Sequence, residues 1–99
     1  MPNYVHPYRQ PKDQPLDMGA AQEWFQWFER IGQHIASQGS AVSTARRLGN
    51  VDGSQRVSGF TVISARDLGH ASEIAGGCPA IGQGFGVEIG ELVEVPAAA

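Results

Sequence analysis

RVSGFTVISA, residues 56–65, is the stretch that decides the fold. Its apolar side chains are mostly β-branched or aromatic, and such residues favour extended backbone. Neither of its two alternating faces is strongly polar, which is typical of a strand with both faces covered. The stretch therefore predicts a central strand, and the rest of the chain has to supply neighbouring strands and covering helices.

Upstream of this strand the chain predicts another strand and a helix. NYVHPYR, residues 3–9, is rich in aromatic residues, and Pro7, which cannot donate to a ladder, predicts a short strand or a position at the sheet edge. Residues 10–18 carry two prolines and predict a loop. A helix is predicted from about Met18 to Ser37, because apolar residues recur there at spacings of three and four. These residues are Trp24, Trp27, Phe28, Ile31 and Ile35.

Two residues near this helix have separate interpretations. Gly39 is expected to end it in a left-handed conformation. Phe25 lies off the apolar stripe, so a second surface has to cover it, and a partner subunit is one possibility.

The remaining segments complete the pattern. Residues 40–48 predict a strand and residues 49–55 a turn. Asp67 is a good N-cap for a second helix, which ends at Gly76-Gly77, and Pro79 blocks its continuation. Residues 85–95 predict the last strand.

The element order is β-α-β-β-α-β, so the predicted class is α+β with a ferredoxin-like arrangement. This is a four-stranded antiparallel sheet with two helices on one face. Residues 1–95 form the single domain, and residues 96–99 are a frayed tail. The other face of the sheet would expose Phe60, Val62 or their neighbours. A twofold dimer, sheet face against sheet face, would cover them.

Composition excludes several function classes. The chain has 99 residues, 41% hydrophobic and 17% charged, with a net charge of −3, which indicates a soluble globular protein without a nucleic-acid or membrane partner. Its basic cluster, Arg46-Arg47 with Arg56 nearby, is too small to track a phosphate backbone. No apolar run has signal-peptide or membrane-spanning length, so a cytoplasmic location is expected.

Three segments carry a resemblance to a known family. They are WFQWFERIG, VSGFTVISA followed by RDLGHASEIAGGCP, and GFGVEIGEL. On these segments the chain, from Tyr4 to about Val93, resembles the YCII-related (DGPF-domain) family of small bacterial proteins. The resemblance implies a ferredoxin-like fold that dimerises into an α+β barrel.

The resemblance does not carry over the acid–base pair proposed for some members of the family. Trp27-Phe28 stands where those members have a histidine, and Cys78 stands in place of an aspartate before a proline. The DGPF tetrapeptide is also absent, and STARRLGN fills that region. Only the location of the site is implied.

His6 and Cys78 are the candidates for catalysis. A histidine in a pocket is a natural general base, and a thiolate is the most nucleophilic side chain at neutral pH. Cys78, the only cysteine, follows a helix C-terminus, whose carbonyl dipoles disfavour an anion. Packing at a turn is the simpler interpretation of Cys78, and an edge-strand role is the simpler one for His6. The scattered histidines predict no metal site and no cofactor.

A ligand cleft is expected between helices and sheet, in three possible settings. Its expected lining is Tyr4, His6, Tyr8, Trp24, Trp27, Phe28 and Cys78. The leading hypothesis is a homodimeric module that binds a small organic molecule. The alternatives are a small cofactor-free enzyme that transfers protons on a small organic substrate, and a protein-interaction or regulatory module.

Overall fold

A computed structural model describes residues 1–14 and 21–95 of the chain. These residues form an α+β structure in which a five-stranded antiparallel sheet packs against three α-helices. The start of the predicted first helix at Met18, the second half of the predicted loop and the tail 96–99 lie outside the described residues. The strands are β1 (Asn3–Pro11), β2 (Ile35–Ala41), β3 (Gln55–Ser64), β4 (Gly86–Val87) and β5 (Gly90–Glu91), and the helices are α1 (Ala21–Arg30), α2 (Leu68–Ala75) and α3 (Pro79–Gly82).

The strand order is β2-β3-β1-β4, with β5 also pairing with β1. The central position predicted for RVSGFTVISA is confirmed, since β3 pairs with β2 on one side and β1 on the other. The sheet is antiparallel throughout.

Strand β1 is a second central strand of nine residues, so both outcomes inferred from Pro7, an edge position and a short strand, were wrong. The strand pairs with β3 along its whole length, and Pro7 lies opposite Phe60. On the other side, the N–H of Glu88 donates to the Pro7 carbonyl at 3.4 Å, but the proline nitrogen has no proton to return. The missing donor therefore faces the last strand rather than β3.

This missing donor accounts for the interruption of the last strand. A continuous strand over residues 85–95 was predicted, but only the two short segments β4 and β5 pair with β1. Both keep one register, in which Tyr8 lies opposite Val87 and Tyr4 opposite Glu91. The break between them falls at Glu88, opposite Pro7.

The first helix is shorter than predicted. It ends at Arg30, a 3₁₀ turn occupies Gly32–His34, and Ile35 begins β2. The prediction of helix to Ser37 was therefore wrong, as was a strand over residues 40–48, because β2 ends at Ala41. Glycine at position 32 weakens the helix, and Ile35 reaches the core from the sheet instead.

The predicted second helix is confirmed. Asp67 precedes α2, and its carboxylate oxygen accepts from the backbone N–H of His70 at 2.8 Å. The helix ends at Ala75, as the two following glycines predicted. Pro79 does more than block continuation, since it opens α3 at the first helical position, where its missing N–H costs nothing.

The core lies between the helices and one face of the sheet. Trp27 of α1, Ala71 of α2 and Ala80 of α3 belong to one buried cluster with the strand residues Tyr4 and Ile63. The opposite surface, called the outer face below, retains apolar side chains that are partly or well exposed. Its members are Val5, Pro7, Val57, Phe60 and Val62.

Arg56 is a structural residue rather than part of a basic surface patch. Its side chain is buried on the helix-facing side of β3. The guanidinium donates to the carbonyls of Val42 and Gln14, both at 3.1 Å. It thereby ties the segment after β2 and the segment after β1 to the sheet, and only Arg46-Arg47 of the predicted cluster is exposed.

Candidate functional site: an aromatic groove beside helix α1

A groove of about 290 Å³ runs between α1 and the helix-facing side of the sheet. Trp24 and Phe28, one helical turn apart on α1, form one wall. Tyr8 of β1 and Phe85, just before β4, contribute to the other side. The groove lies at the border of the core, so its aromatic rings are partly packed and partly accessible.

The aromatic rings hold one another in place through edge-to-face contacts. The Tyr8 and Trp24 rings lie 4.6 Å apart between centroids, at 65° to each other. Trp27 stands at 88° to Trp24 with centroids 5.9 Å apart, and it is buried behind the groove wall. Such contacts fix ring orientations beyond what area burial alone does. The wall is therefore formed before any ligand arrives.

A hydrogen-bonded pair of hydroxyls lies at the base of the groove. The Tyr8 hydroxyl and Thr61 Oγ1 are in hydrogen-bond contact, and Thr61 Oγ1 also bonds the carbonyl oxygen of Gln38 at 3.1 Å. Burial raises the pKa of Tyr8 well above its ordinary value, so the phenol keeps its proton. Both residues are buried, and Thr61 is completely so.

The described residues that line the groove carry no formal charge. Its polar members are glutamines and hydroxyl residues in addition to Tyr8. No group of three or more histidine, cysteine or carboxylate side chains suited to a metal ion occurs among residues 1–14 and 21–95. In that same part of the chain, no helix is long and apolar enough to cross a membrane.

The residues expected to line the cleft divide into two groups. Tyr8, Trp24 and Phe28 lie on the groove. The others are buried in the core or at its margin, outside the groove lining: Tyr4, His6, Trp27 and Cys78. Tyr4 instead donates to a carboxylate oxygen of Glu91 at 3.3 Å, which links β1 to β5.

His6 is fully buried between two aromatic rings. Its ring centroid lies 4.8 Å from that of Tyr8 and 5.7 Å from that of Trp27. Neither ring nitrogen of His6 has a hydrogen-bond partner among the described residues, and Trp27 Nε1 is in the same situation. Burial lowers the pKa of His6 to about 4, so the imidazole is neutral at pH 7.

Cys78 is buried beside the same cluster. Its backbone precedes α3, so the helix-C-terminus interpretation is incomplete, because a new helix begins there. Burial raises the pKa of the thiol to about 11, although the N–H groups of Ala80 and Ile81 act in the opposite direction. Cys78 shares the core cluster with Tyr8 and Trp27, which both flank His6. The two catalytic candidates are thus in one region, but neither lines the groove.

Sequence reasoning missed the contribution of β2. Gln38–Ala41 line the groove, but Gly39 was predicted to be a helix end and residues 40 and 41 the start of a strand, with no part in the cleft. Gln10 and Phe85 were missed as well. Alternation along β1 could have identified Gln10, because it shares a face with Tyr8.

Two histidines that are distant in sequence meet away from the groove. The His34 and His70 rings lie 5.3 Å apart between centroids, at 88°. Nδ1 of His70 accepts from the backbone N–H of Arg66 at 3.1 Å, which occupies one of its ring nitrogens. The pair supports the contact between the 3₁₀ turn and the start of α2.

No protein-family model matches this chain, and no curated protein matches it.

Proposed function

We propose that this chain is a homodimeric ferredoxin-like module, related to the YCII-related family, that binds a small neutral aromatic molecule in the groove beside α1. The central positions of β1 and β3 support the ferredoxin-like part of the proposal. The family relationship rests on the three sequence segments named above.

The groove itself is the observation that carries the proposal. Its volume of about 290 Å³ is roughly twice that of a cavity known to admit benzene, so a two-ring compound fits the space. Aromatic walls with a few convergent polar groups are the usual makeup of a small-molecule site. The edge-to-face packing of Trp24 on Tyr8 lowers the cost of binding, since the wall need not be ordered by the ligand.

The absence of charge among the described lining residues favours a neutral ligand. A carboxylate or ammonium group moved into this groove would lose hydration without gaining an ion pair there. Amide and hydroxyl groups can instead meet a hydroxyl, an N–H or a carbonyl on the ligand.

Binding is favoured over acid–base or nucleophilic catalysis. A general base must reach its substrate, and His6 is enclosed by aromatic rings with a pKa of about 4. A thiol whose pKa is about 11 contributes almost no thiolate at pH 7. A regulatory or interaction role remains compatible with the exposed ring of Phe25, which stands at the groove mouth and is 61% exposed.

The outer face supports the dimeric part of the proposal. Val57 and Phe60 are 37% and 38% exposed, and the pairing of β1 with β3 places Val5 beside Val62 on the same surface. A contiguous apolar sheet face is a typical interface, and a twofold contact would cover two such faces at once.

Titration with two-ring compounds tests the binding function. We expect indole and indene, both neutral, to shift the backbone amides of Gly39 and Ser40 and the indole N–H of Trp24 in ¹H–¹⁵N spectra. Trp24→Ala should weaken binding about tenfold, since it removes one wall and its aromatic contacts.

Leu92→Ala is the matched control, because Leu92 is an exposed apolar residue outside the groove. Its affinities should equal those of the wild-type chain. Absence of groove shifts with either compound at millimolar concentration would refute the proposed function.

A further inference from the structure

The direction of the hydrogen bonds around Tyr8 decides what the groove can recognise. The Gln38 carbonyl oxygen can only accept, so the Thr61 hydroxyl donates its proton there, at 3.1 Å. In the Tyr8–Thr61 contact the Tyr8 hydroxyl must therefore be the donor. The Tyr8 hydroxyl oxygen can therefore only accept a further hydrogen bond, for example from a ligand.

The Ser58 hydroxyl of the groove lining is committed in the same way. Ser58 Oγ donates its proton to the backbone carbonyl oxygen of Tyr8 at 3.2 Å, so the Ser58 hydroxyl can only accept a further hydrogen bond. Two lining amides each use one N–H internally: Gln10 donates to the Gln14 carbonyl at 2.6 Å, and Gln83 donates to Glu23 at 3.0 Å. The amides retain both kinds of group, but the buried hydroxyls offer acceptors alone.

Exposure separates the buried hydroxyl residues of the lining. Tyr8 and Ser58 keep 6% and 9% of their surface exposed, while Thr61 keeps none. Of the two that keep some exposure, Tyr8 is the one whose ring packs edge to face on the wall residue Trp24, with centroids 4.6 Å apart, so a ligand against that wall lies beside Tyr8.

We propose that the groove selects a neutral two-ring aromatic compound that carries a hydrogen-bond donor, such as a phenol O–H or an indole N–H, over isosteres that carry only an acceptor. The selecting group is the acceptor side of the Tyr8–Thr61–Gln38 chain. A ligand acceptor placed against the Tyr8 oxygen leaves two desolvated lone pairs facing each other, and sites of this kind reject such analogues strongly. This inference rests on the proposed ligand-binding function.

Three compounds of one shape test it. Indole has a donor, benzofuran has an acceptor at the same position, and indene has neither. Isothermal titration of the wild-type chain should show indole binding at least about tenfold more tightly than benzofuran, as expected for one satisfied rather than one unpaired hydrogen-bonding group.

Two substitutions separate the hydrogen-bond direction from mere polarity. Tyr8→Phe removes the accepting oxygen, so the preference for indole over benzofuran should fall to near unity. Thr61→Val keeps the shape of the side chain but frees the Tyr8 proton to point at the ligand. The preference should then reverse in favour of benzofuran.

Thr44→Val is the matched control, because Thr44 is an exposed threonine outside the groove lining. It should retain the wild-type preference, and circular dichroism of each variant checks the fold. Equal wild-type affinities for indole and benzofuran, or an unchanged preference in Thr61→Val, would overturn the inference. Failure of all three compounds to bind would instead overturn the proposed function itself.

Discussion

At the scale of single residues, burial decides what Cys78 can do. The residue is 3% exposed, and burial raises the pKa of its thiol to about 11. We predict that iodoacetamide alkylates Cys78 in the native chain far more slowly than in urea-unfolded chain at pH 8. Mass spectrometry reads the single thiol directly. A native reaction midpoint below the ordinary cysteine value of about 8.5 would contradict this prediction.

His6 makes the stability of the fold depend on pH. The unfolded chain protonates this imidazole below about pH 6.5, whereas the folded chain resists protonation until about pH 4. The stabilisation that comes from keeping His6 neutral is therefore complete above pH 6.5. As the pH falls from 6.5 to 4, the free energy of unfolding decreases by up to about 3 kcal/mol because of His6. Urea denaturation at pH 7.5, 6, 5 and 4 measures it.

His6→Leu should flatten this pH dependence, whatever its effect at pH 7. The half-exposed His34 provides the control, and His34→Gln should retain the wild-type slope. Parallel curves for the wild-type chain and His6→Leu would show that another group carries the dependence.

At the scale of elements, the start of α2 depends on its cap. The Asp67 carboxylate accepts the His70 N–H at 2.8 Å, and that donor otherwise has no intrahelical partner. Asp67→Ala should lower the free energy of unfolding by about 1 kcal/mol, and Asp67→Asn should recover most of the loss. Chemical denaturation checks both. Equal stability of the alanine variant and the wild-type chain would mean that the cap contributes nothing.

The irregular part of β2 depends on Gly39. Its φ is +73°, and a Cβ there would lie 1.9 Å from the Phe60 carbonyl oxygen. A register shift between Ser37 and Ser40 spans this residue, so Gly39 lies in a bulge of a strand rather than at the helix end predicted from sequence. The prediction of a positive φ at Gly39 was correct, but the residue lies in β2 and not at the end of a helix.

Gly39→Ala should destabilise the fold by about 3 kcal/mol or more, because both backbone strain and a backbone clash must be relieved. Gly53→Ala is the control, since nothing lies within 4 Å of a Cβ at that position. Its stability should be unchanged or slightly raised. Thermal unfolding compares the two, and equal midpoints would contradict the role assigned to Gly39.

At the scale of the whole molecule, the outer face is predicted to mediate a dimer. Light scattering should give twice the chain mass, and Val62→Glu should give the monomer, because Val62 lies opposite Val5 and a carboxylate there would be buried in the contact without a partner. Val51→Glu is the matched control, because Val51 is exposed at 45% outside the sheet. A wild-type chain that is monomeric at high micromolar concentration would refute the dimer.

Features that depend on local chemistry could be predicted from the order of the amino acids. The β-branched run in residues 56–65 indicated a central strand, and the Asp67 cap with the following glycines marked both ends of α2. Helical spacing placed Trp24 and Phe28 on one face of the first helix, and Tyr8 was placed on the first strand. Each of these signals lies within a few neighbouring residues.

Long-range packing sets where α1 ends, which side of β1 the Pro7 nitrogen faces, and which aromatic residues stay accessible, so none of these could be predicted from local sequence. Ile35 continues the helical spacing, yet pairing with β3 places it in a strand, because long-range contacts outweigh a weak local preference. Trp27 and His6 are as aromatic as Trp24, but they lie behind the groove wall. Burial depends on what packs across from a residue, and that partner is far away in the chain.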